Sequence, residues 1–135
     1  MNQMSQQDLQ QHVTILGWLH IIGHALFLII GLFIFTLLTG IGAFTGDPEA
    51  VAILSVVGTL VGALLAILGI PGILAGYGLL KRRSWGRYLA IVIGILNLVN
   101  FPVGTLIGIY TLWVLLQEEA NSYFIPMAAP MQPQP

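Results

Sequence analysis

The sequence predicts an all-α fold, an integral membrane four-helix bundle with both termini cytoplasmic. Three observations predict it. Hydrophobic residues make up 57% of the chain and charged residues 7%, where a soluble domain carries about 25% charged residues. The charges are clustered and leave charge-free runs of 38 residues (9–46), 31 residues (50–80) and 30 residues (88–117). All four basic residues, Lys81, Arg82, Arg83 and Arg87, sit in one short segment, "KRRSWGR". A soluble domain of this size still exposes roughly a third of its unfolded surface. It has nowhere to hide so much apolar area, whereas about 20 apolar residues suffice to cross a bilayer.

The elements follow in order. Residues 1–12 form a polar N-terminal segment in which Ser5 and Asp8 make an S-x-x-D capping pattern, so a helix is expected to begin near Gln6. The first span is expected at residues 13–39. Its leading residues carry no basic group and its apolar run exceeds a 7–15-residue signal core, so it reads as a retained helix. The glycine-rich "TGIGAFTGDPEA" is expected to connect it to the next helix, with Asp47-Pro48 suited to a turn and a helix start. The second span, 51–80, would be about 45 Å long. Pro71-Gly72 is expected to kink it.

The third apolar run is interrupted by "NLVNFPVG", where Asn100 and Phe101 precede Pro102 and Gly104 follows. The residue before a proline resists helical geometry. Two short helices at 84–99 and 103–117 therefore form a hairpin, shallow or re-entrant in the alternative. Together with the first two spans they make a single membrane domain, 13–119. A Pro-rich C-terminal tail, 120–135, is expected to be extended or mobile.

Orientation comes from the basic segment, since Lys and Arg in short loops favour the cytoplasmic side. Trp18, Trp85 and Trp113 then all fall near the cytoplasmic interface, where tryptophan concentrates. The expected location is the cell membrane, multi-pass. Lys81, Arg82, Arg83 and Arg87 set topology in this reading, with contact to anionic lipid head groups as the functional alternative.

Several function classes are excluded or disfavoured. The chain has no cysteine, which removes disulfides, thiolate catalysis and cysteine-ligated metals. A net charge of −1 gives no electrostatic footprint for nucleic acid. Paired intramembrane carboxylates, G-x-S-x-G, H-E-x-x-H and the P-loop are all missing, so no enzyme and no cofactor is expected.

Small residues recur at helical spacing: Gly58, Gly62, Ala66 and Gly69 on the second span, Ala90 and Gly94 on the third, Gly104 and Gly108 on the fourth. Such patterns let backbones approach closely in lipid. They serve packing within the bundle or, in the functional reading, an oligomer interface.

The intramembrane polar residues are the candidate site. His20 and His24 lie one turn apart in "GWLHIIGHALFLIIG" and share a helix face, on which Gly17, His24 and Gly31 recur every seven residues. Counted from Val13, His20 lies about 10 Å deep and His24 about 17 Å deep. Counted back from Gln117, Tyr110 and Thr111 are level with His20. The expected cluster is His20, His24, Tyr110 and Thr111, with His20 hydrogen-bonded to a hydroxyl of the closing helix. Two alternatives stand beside it: a proton or substrate path, and a metal or haem site at His20 and His24. The metal reading lacks further ligands, since zinc takes three or four and no carboxylate or cysteine lies at that depth.

The stretch "GLLKRRSWGRYLAIVIGILNLVNFPVGTLIGIYTLWVLLQEE" (78–119) resembles a module of uncharacterised small four-helix membrane proteins of bacteria. The shared features are the "LLKR..W.R" loop, the "N-F-P-x-G" turn and the "GIYTLWVLL" closing helix. The resemblance implies a bacterial or archaeal membrane protein of four helices and carries no activity. The function expected is that of a non-enzymatic structural or accessory subunit in the lipid bilayer. It would work through helix packing, as a homo-oligomer or as part of a larger membrane complex. An oligomeric channel or small transporter lined by His20 and His24 is the alternative.

Overall fold

A computed structural model describes residues 4–124. Among them are five helices and no strand: α1 (Gln6–Thr45), α2 (Pro48–Leu80), α3 (Ser84–Asn97), α4 (Val103–Leu115) and the single turn α5 (Ala120–Tyr123). The chain is all-α, and α1 and α2 are each long and apolar enough to cross a membrane.

α1 starts where its cap dictates. Ser5 Oγ accepts from the Asp8 amide at 3.1 Å, while the Asp8 carboxylate accepts from the Ser5 hydroxyl at 2.7 Å and more loosely from the Ser5 amide at 3.4 Å. This is a reciprocal capping box. The helix then runs past residue 39 to Thr45, so most of the expected glycine-rich connection is helical. The reason lies in packing. Gly42 faces the start of α2, where a Cβ would stand 3.1 Å from the Val51 Cα; close approach of two backbones offsets glycine's poor helix propensity. Only Gly46 and Asp47 separate the helices. Gly46 takes the left-handed conformation at φ 68° that ends α1, and Asp47 caps α2 by accepting from the Glu49 amide at 3.0 Å ahead of Pro48 at the first helical position. α2 is a single helix through Pro71.

α1 and α2 pack antiparallel along a glycine seam. A Cβ on Gly17 would lie 3.1 Å from Gly76 O, one on Gly31 would lie 3.1 Å from the Leu65 Cβ, and one on Gly69 would lie 2.9 Å from His24 O. Gly58 sits 3.4 Å by the same measure from the Phe35 Cα. The short helices use the same device. Gly78 of α2 faces Gly86 of α3, and Gly94 of α3 faces Thr111 and Gly108 of α4. Ala90 is fully buried and Ala66 half-buried. The small residues singled out from the sequence are thus used largely inside this chain.

The four helices overlap only at one end. α3 and α4 are about 21 Å and 20 Å long, against about 60 Å for α1 and 50 Å for α2. Their connection, which holds a cis Phe101–Pro102 bond, comes level with the middle of the long pair. The apolar core lies in the overlapping end and includes Leu9, Val13, Leu16, Leu79, Ile93, Val114 and Leu115. Past the connection, among the described residues, α1 and α2 have only each other, and Ile29, Leu32, Phe33, Leu60 and Leu64 are exposed.

The chain after α4 departs from the expected extended tail as far as residue 124. Ala120, Tyr123 and Phe124 are buried against the core, and the Pro-rich residues beyond lie outside the described part. The basic segment holds this closure. Arg87 donates through Nε and Nη2 to Leu115 O at 3.0 and 2.7 Å and through Nη1 to Asn121 Oδ1 at 2.6 Å. A cation placed on the last carbonyls of α4 suits its helix dipole. The Arg82 guanidinium lies 4.2 Å from the Tyr123 ring centroid and donates from Nε to Tyr123 O at 3.2 Å. Burial pushes the Tyr123 hydroxyl above its usual pKa, against the pull of Arg82. Gln6 of α1 donates across to Glu119 O and Ser122 Oγ. Lys81 and Arg83 remain exposed.

Arg82 accepts an unfavourable backbone to reach this position. Its φ is 56°, and it is the one non-glycine residue with positive φ among the described residues. Arg82 N bonds to Leu79 O at 3.1 Å and Arg83 N to Gly78 O at 2.9 Å, the two bonds of a Schellman motif at the end of α2. Glycine is the ordinary residue there, and an L side chain costs about 1 kcal/mol or more. The contacts to Tyr123 offset that cost. Arg82→Ala keeps the strain and loses the contacts, whereas Arg82→Gly loses both together. Thermal unfolding in detergent should therefore show the glycine variant more stable than the alanine variant by about 1 kcal/mol. The reverse order would remove the strain account.

Candidate functional site

Where α1 meets the middle of α2, the two histidines are held by their own helix. His20 Nδ1 lies 3.0 Å from Leu16 O, and His24 Nδ1 lies 2.9 Å from His20 O. A carbonyl oxygen only accepts, so in each ring Nδ1 carries the proton; in the neutral ring Nε2 is then a bare lone pair. His20 is fully buried and its Nε2 has no hydrogen-bond partner among the described residues. His24 is 7% exposed, and its ring sits in a berth made by Gly72, where any Cβ would overlap ring atoms. The Phe27 ring meets it edge-on at 5.7 Å.

The hydrogen bond expected from His20 to Tyr110 or Thr111 is not formed. The Tyr110 hydroxyl pairs instead with His12 Nδ1 at 2.6 Å, and the Trp113 ring closes that cluster at 5.7 Å from the His12 ring. Thr111 Oγ1 donates to Ile107 O at 2.7 Å, while its methyl side packs on Gly94. The difference is one of level. Leu9 and Val13 are fully buried in the packed end, so α1 enters the bundle earlier than a count from Val13 assumes. His12 is therefore the residue level with Tyr110. The spacing of Leu9, Val13 and Leu16 on one helix face was the available signal.

The two rings are stacked, with centroids 5.6 Å apart and planes 15° from parallel. In-plane lone pairs of near-parallel rings run side by side, whereas ligands of one zinc converge at 2.0–2.1 Å. Among the described residues no group of three His, Asp or Glu side chains comes together for a metal. The geometry favours separate roles for the two histidines: His20 as packed core and His24 as the edge of an open space.

That space is a cavity of about 450 Å³ at the tip of the α3–α4 hairpin. Its wall takes His24 and Phe27 from α1, Leu68 and Pro71 from α2, and Asn97 and Asn100 from the hairpin. The asparagines read as turn residues in the sequence. Their position beside His24 follows from the hairpin's short arms, which stop it at the middle of α1. Two amides inside an otherwise apolar run were the visible hint.

No family model, no curated protein and no solved structure matches the chain.

The berth under His24 yields a coupled prediction. Gly72→Ala drives a methyl into the imidazole and should lower stability by about 1–3 kcal/mol, the usual cost of overpacking. In a His24→Ala background the ring is gone and the same Gly72→Ala change should cost nothing, since alanine is the better helix former. Thermal unfolding of the four proteins in detergent measures the cycle. Equal effects in both backgrounds would mean that Gly72 does not seat the ring.

Proposed function

We propose that the chain is a small multi-pass protein of the cell membrane, with both termini and Lys81, Arg82, Arg83 and Arg87 on the cytoplasmic side. It acts without catalysis, as a structural or accessory subunit that assembles with a second copy. The membrane setting is supported by the exposed apolar surface of both long helices beyond the hairpin tip, which water would not tolerate over such an area. The hairpin then enters from the cytoplasmic side and turns back within the bilayer, because arms of about 20 Å fall short of a hydrocarbon layer of about 30 Å.

One observation carries the assembly reading. On the outer half of α1, Phe33, Thr36, Leu37, Gly40, Ile41 and Phe44 form a single unpartnered groove along one helix face. Gly40 lies at its floor, and a Cβ there would meet nothing within 4 Å. Gly17, Gly31 and Gly42 of α1 are filled by α2, whereas Gly23 is open like Gly40 but lies outside this groove. A small residue flanked by large apolar ones is what a neighbouring membrane helix packs against. An enclosed path through the two-helix half needs helices from further copies, which places the channel reading second.

The wild-type protein in lipid nanodiscs is expected to run as a dimer by native mass spectrometry, and Gly40→Ile should convert it largely to monomer. A monomeric wild type, or a variant that stays dimeric, would count against this face. Topology has its own test in a chain free of cysteine. An impermeant maleimide should label Glu49→Cys on intact cells and Arg83→Cys only after permeabilisation; the opposite pattern inverts the orientation.

A further inference from the structure

The cavity at the hairpin tip combines an apolar body with an unpaired set of polar groups. We propose that it binds a lipid-soluble molecule whose head carries a hydroxyl group, with His24 as the acceptor and Asn97 and Asn100 as the partners of the hydroxyl oxygen. The inference rests on the membrane setting proposed above.

The acceptor is defined by the fold. His24 Nδ1–H is committed to His20 O at 2.9 Å, and the ring occupies the space that the missing Cβ of Gly72 leaves. What the ring offers the cavity is therefore a lone pair, which needs a donor. Among the described residues His24 Nε2 has no donor, and unlike His20 Nε2 it is not sealed among protein atoms. Leaving such an atom unpaired in apolar surroundings costs about 1–3 kcal/mol. A hydroxyl-bearing ligand removes that cost.

The remaining wall supports the same chemistry. Asn97 is half-buried and Asn100 borders the opening, and their side-chain amides make no hydrogen bond among the described residues. Each amide supplies two donors and an acceptor, so together with His24 the wall suits a group that gives one hydrogen bond and accepts others. Pro71 adds a further polar point. Lacking an N–H, it leaves the Ile67 carbonyl without its ordinary helical donor. Elsewhere the wall is apolar, and its rim residues Ile67, Leu96 and Val99 are exposed on the outer surface of the helices. A ligand therefore arrives sideways from the bilayer. The volume matches the range of about 300–1,000 Å³ that small-molecule sites occupy.

Hydroxyl heads on apolar bodies come from two lipid-soluble sources, hydroquinones and diacylglycerols. Both probes are titrated into the purified full chain in nanodiscs, as decylubiquinol under anaerobic conditions and as dioctanoylglycerol. The readouts are bound mass by native mass spectrometry and the ¹⁵N resonance of His24 Nε2. At least one probe is expected to saturate one site per chain and to move that resonance. Decylubiquinone, which has no hydroxyl to donate, should bind about tenfold more weakly than decylubiquinol if the hydroquinone is the ligand, the loss of one hydrogen bond of about 1.4 kcal/mol. His24→Phe, which keeps a ring over Gly72, should lower the affinity of whichever probe binds about tenfold, and Asn100→Leu should lower it severalfold. Saturation by dioctanoylglycerol alone supports the hydroxyl chemistry and identifies a lipid alcohol as its source. Binding of neither probe, binding unaltered in His24→Phe, or a quinone bound as tightly as its hydroquinone would each overturn the proposal. The maleimide labelling stands independently of these titrations, so a wrong topology and a wrong ligand give different failures.

Discussion

The structure depends on how closely the backbones of α1 and α2 approach each other. At Gly17 against Gly76 and at Gly69 against the carbonyl of His24, there is no room for a side chain between the two helices. A contact so short is made of many weak dispersion contacts, each worth about 0.1–0.2 kcal/mol, and up to about half of it is forfeited if the helices separate by about an ångström. In a lipid environment that contact must hold the pair without help from the hydrophobic effect, because lipid tails are as apolar as leucine. The remaining elements are set by it. Gly72 seats the His24 ring in the same seam, and the register of Gly78 against Gly86 then places α3 beside α2.

The second determinant is electrostatic and sits at the opposite level of the fold. The positive segment 81–87 has a role in folding, because two of its four charges turn inward to the chain's own end. Arg87 satisfies the last carbonyl of α4, that of Leu115, and Arg82 clamps Tyr123, so the start of α1, the loop after α2 and the end of α4 close over one core. Lys81 and Arg83 are left outward. A single short segment thus divides its charges between folding and surface.

Much of this was legible in the residues. The Ser5–Asp8 pattern located the start of α1, "NFP" located the hairpin, and the seven-residue recurrence of Gly17, His24 and Gly31 marked the face that α2 covers. These are local signals, set by caps, prolines and periodicity. The failures are all relations between elements. The length of α1 was underestimated because Gly40 and Gly42 read as breakers unless the partner backbone beside Gly42 is known. The partner of Tyr110 was misassigned because depth was counted from the wrong residue, and helix level is decided by packing. The tail was expected to be extended because nothing in "ANSYF" announces that Arg82 and Arg87 will hold it. The grouping of His24 with Asn97 and Asn100 needed the height of the hairpin tip, which depends on where two separate helices stop.

That height has a mechanical consequence. Set in a bilayer as proposed, the molecule is four helices wide in one leaflet and two in the other. Such a body is a wedge, and it takes up more area among the head groups on its broad side than on its narrow side. Lipids must splay to fill the narrow half, so the molecule's free energy depends on the spontaneous curvature of the surrounding sheet. Where the sheet bends toward its narrow half the wedge fits at less cost, and many copies together would favour that bend.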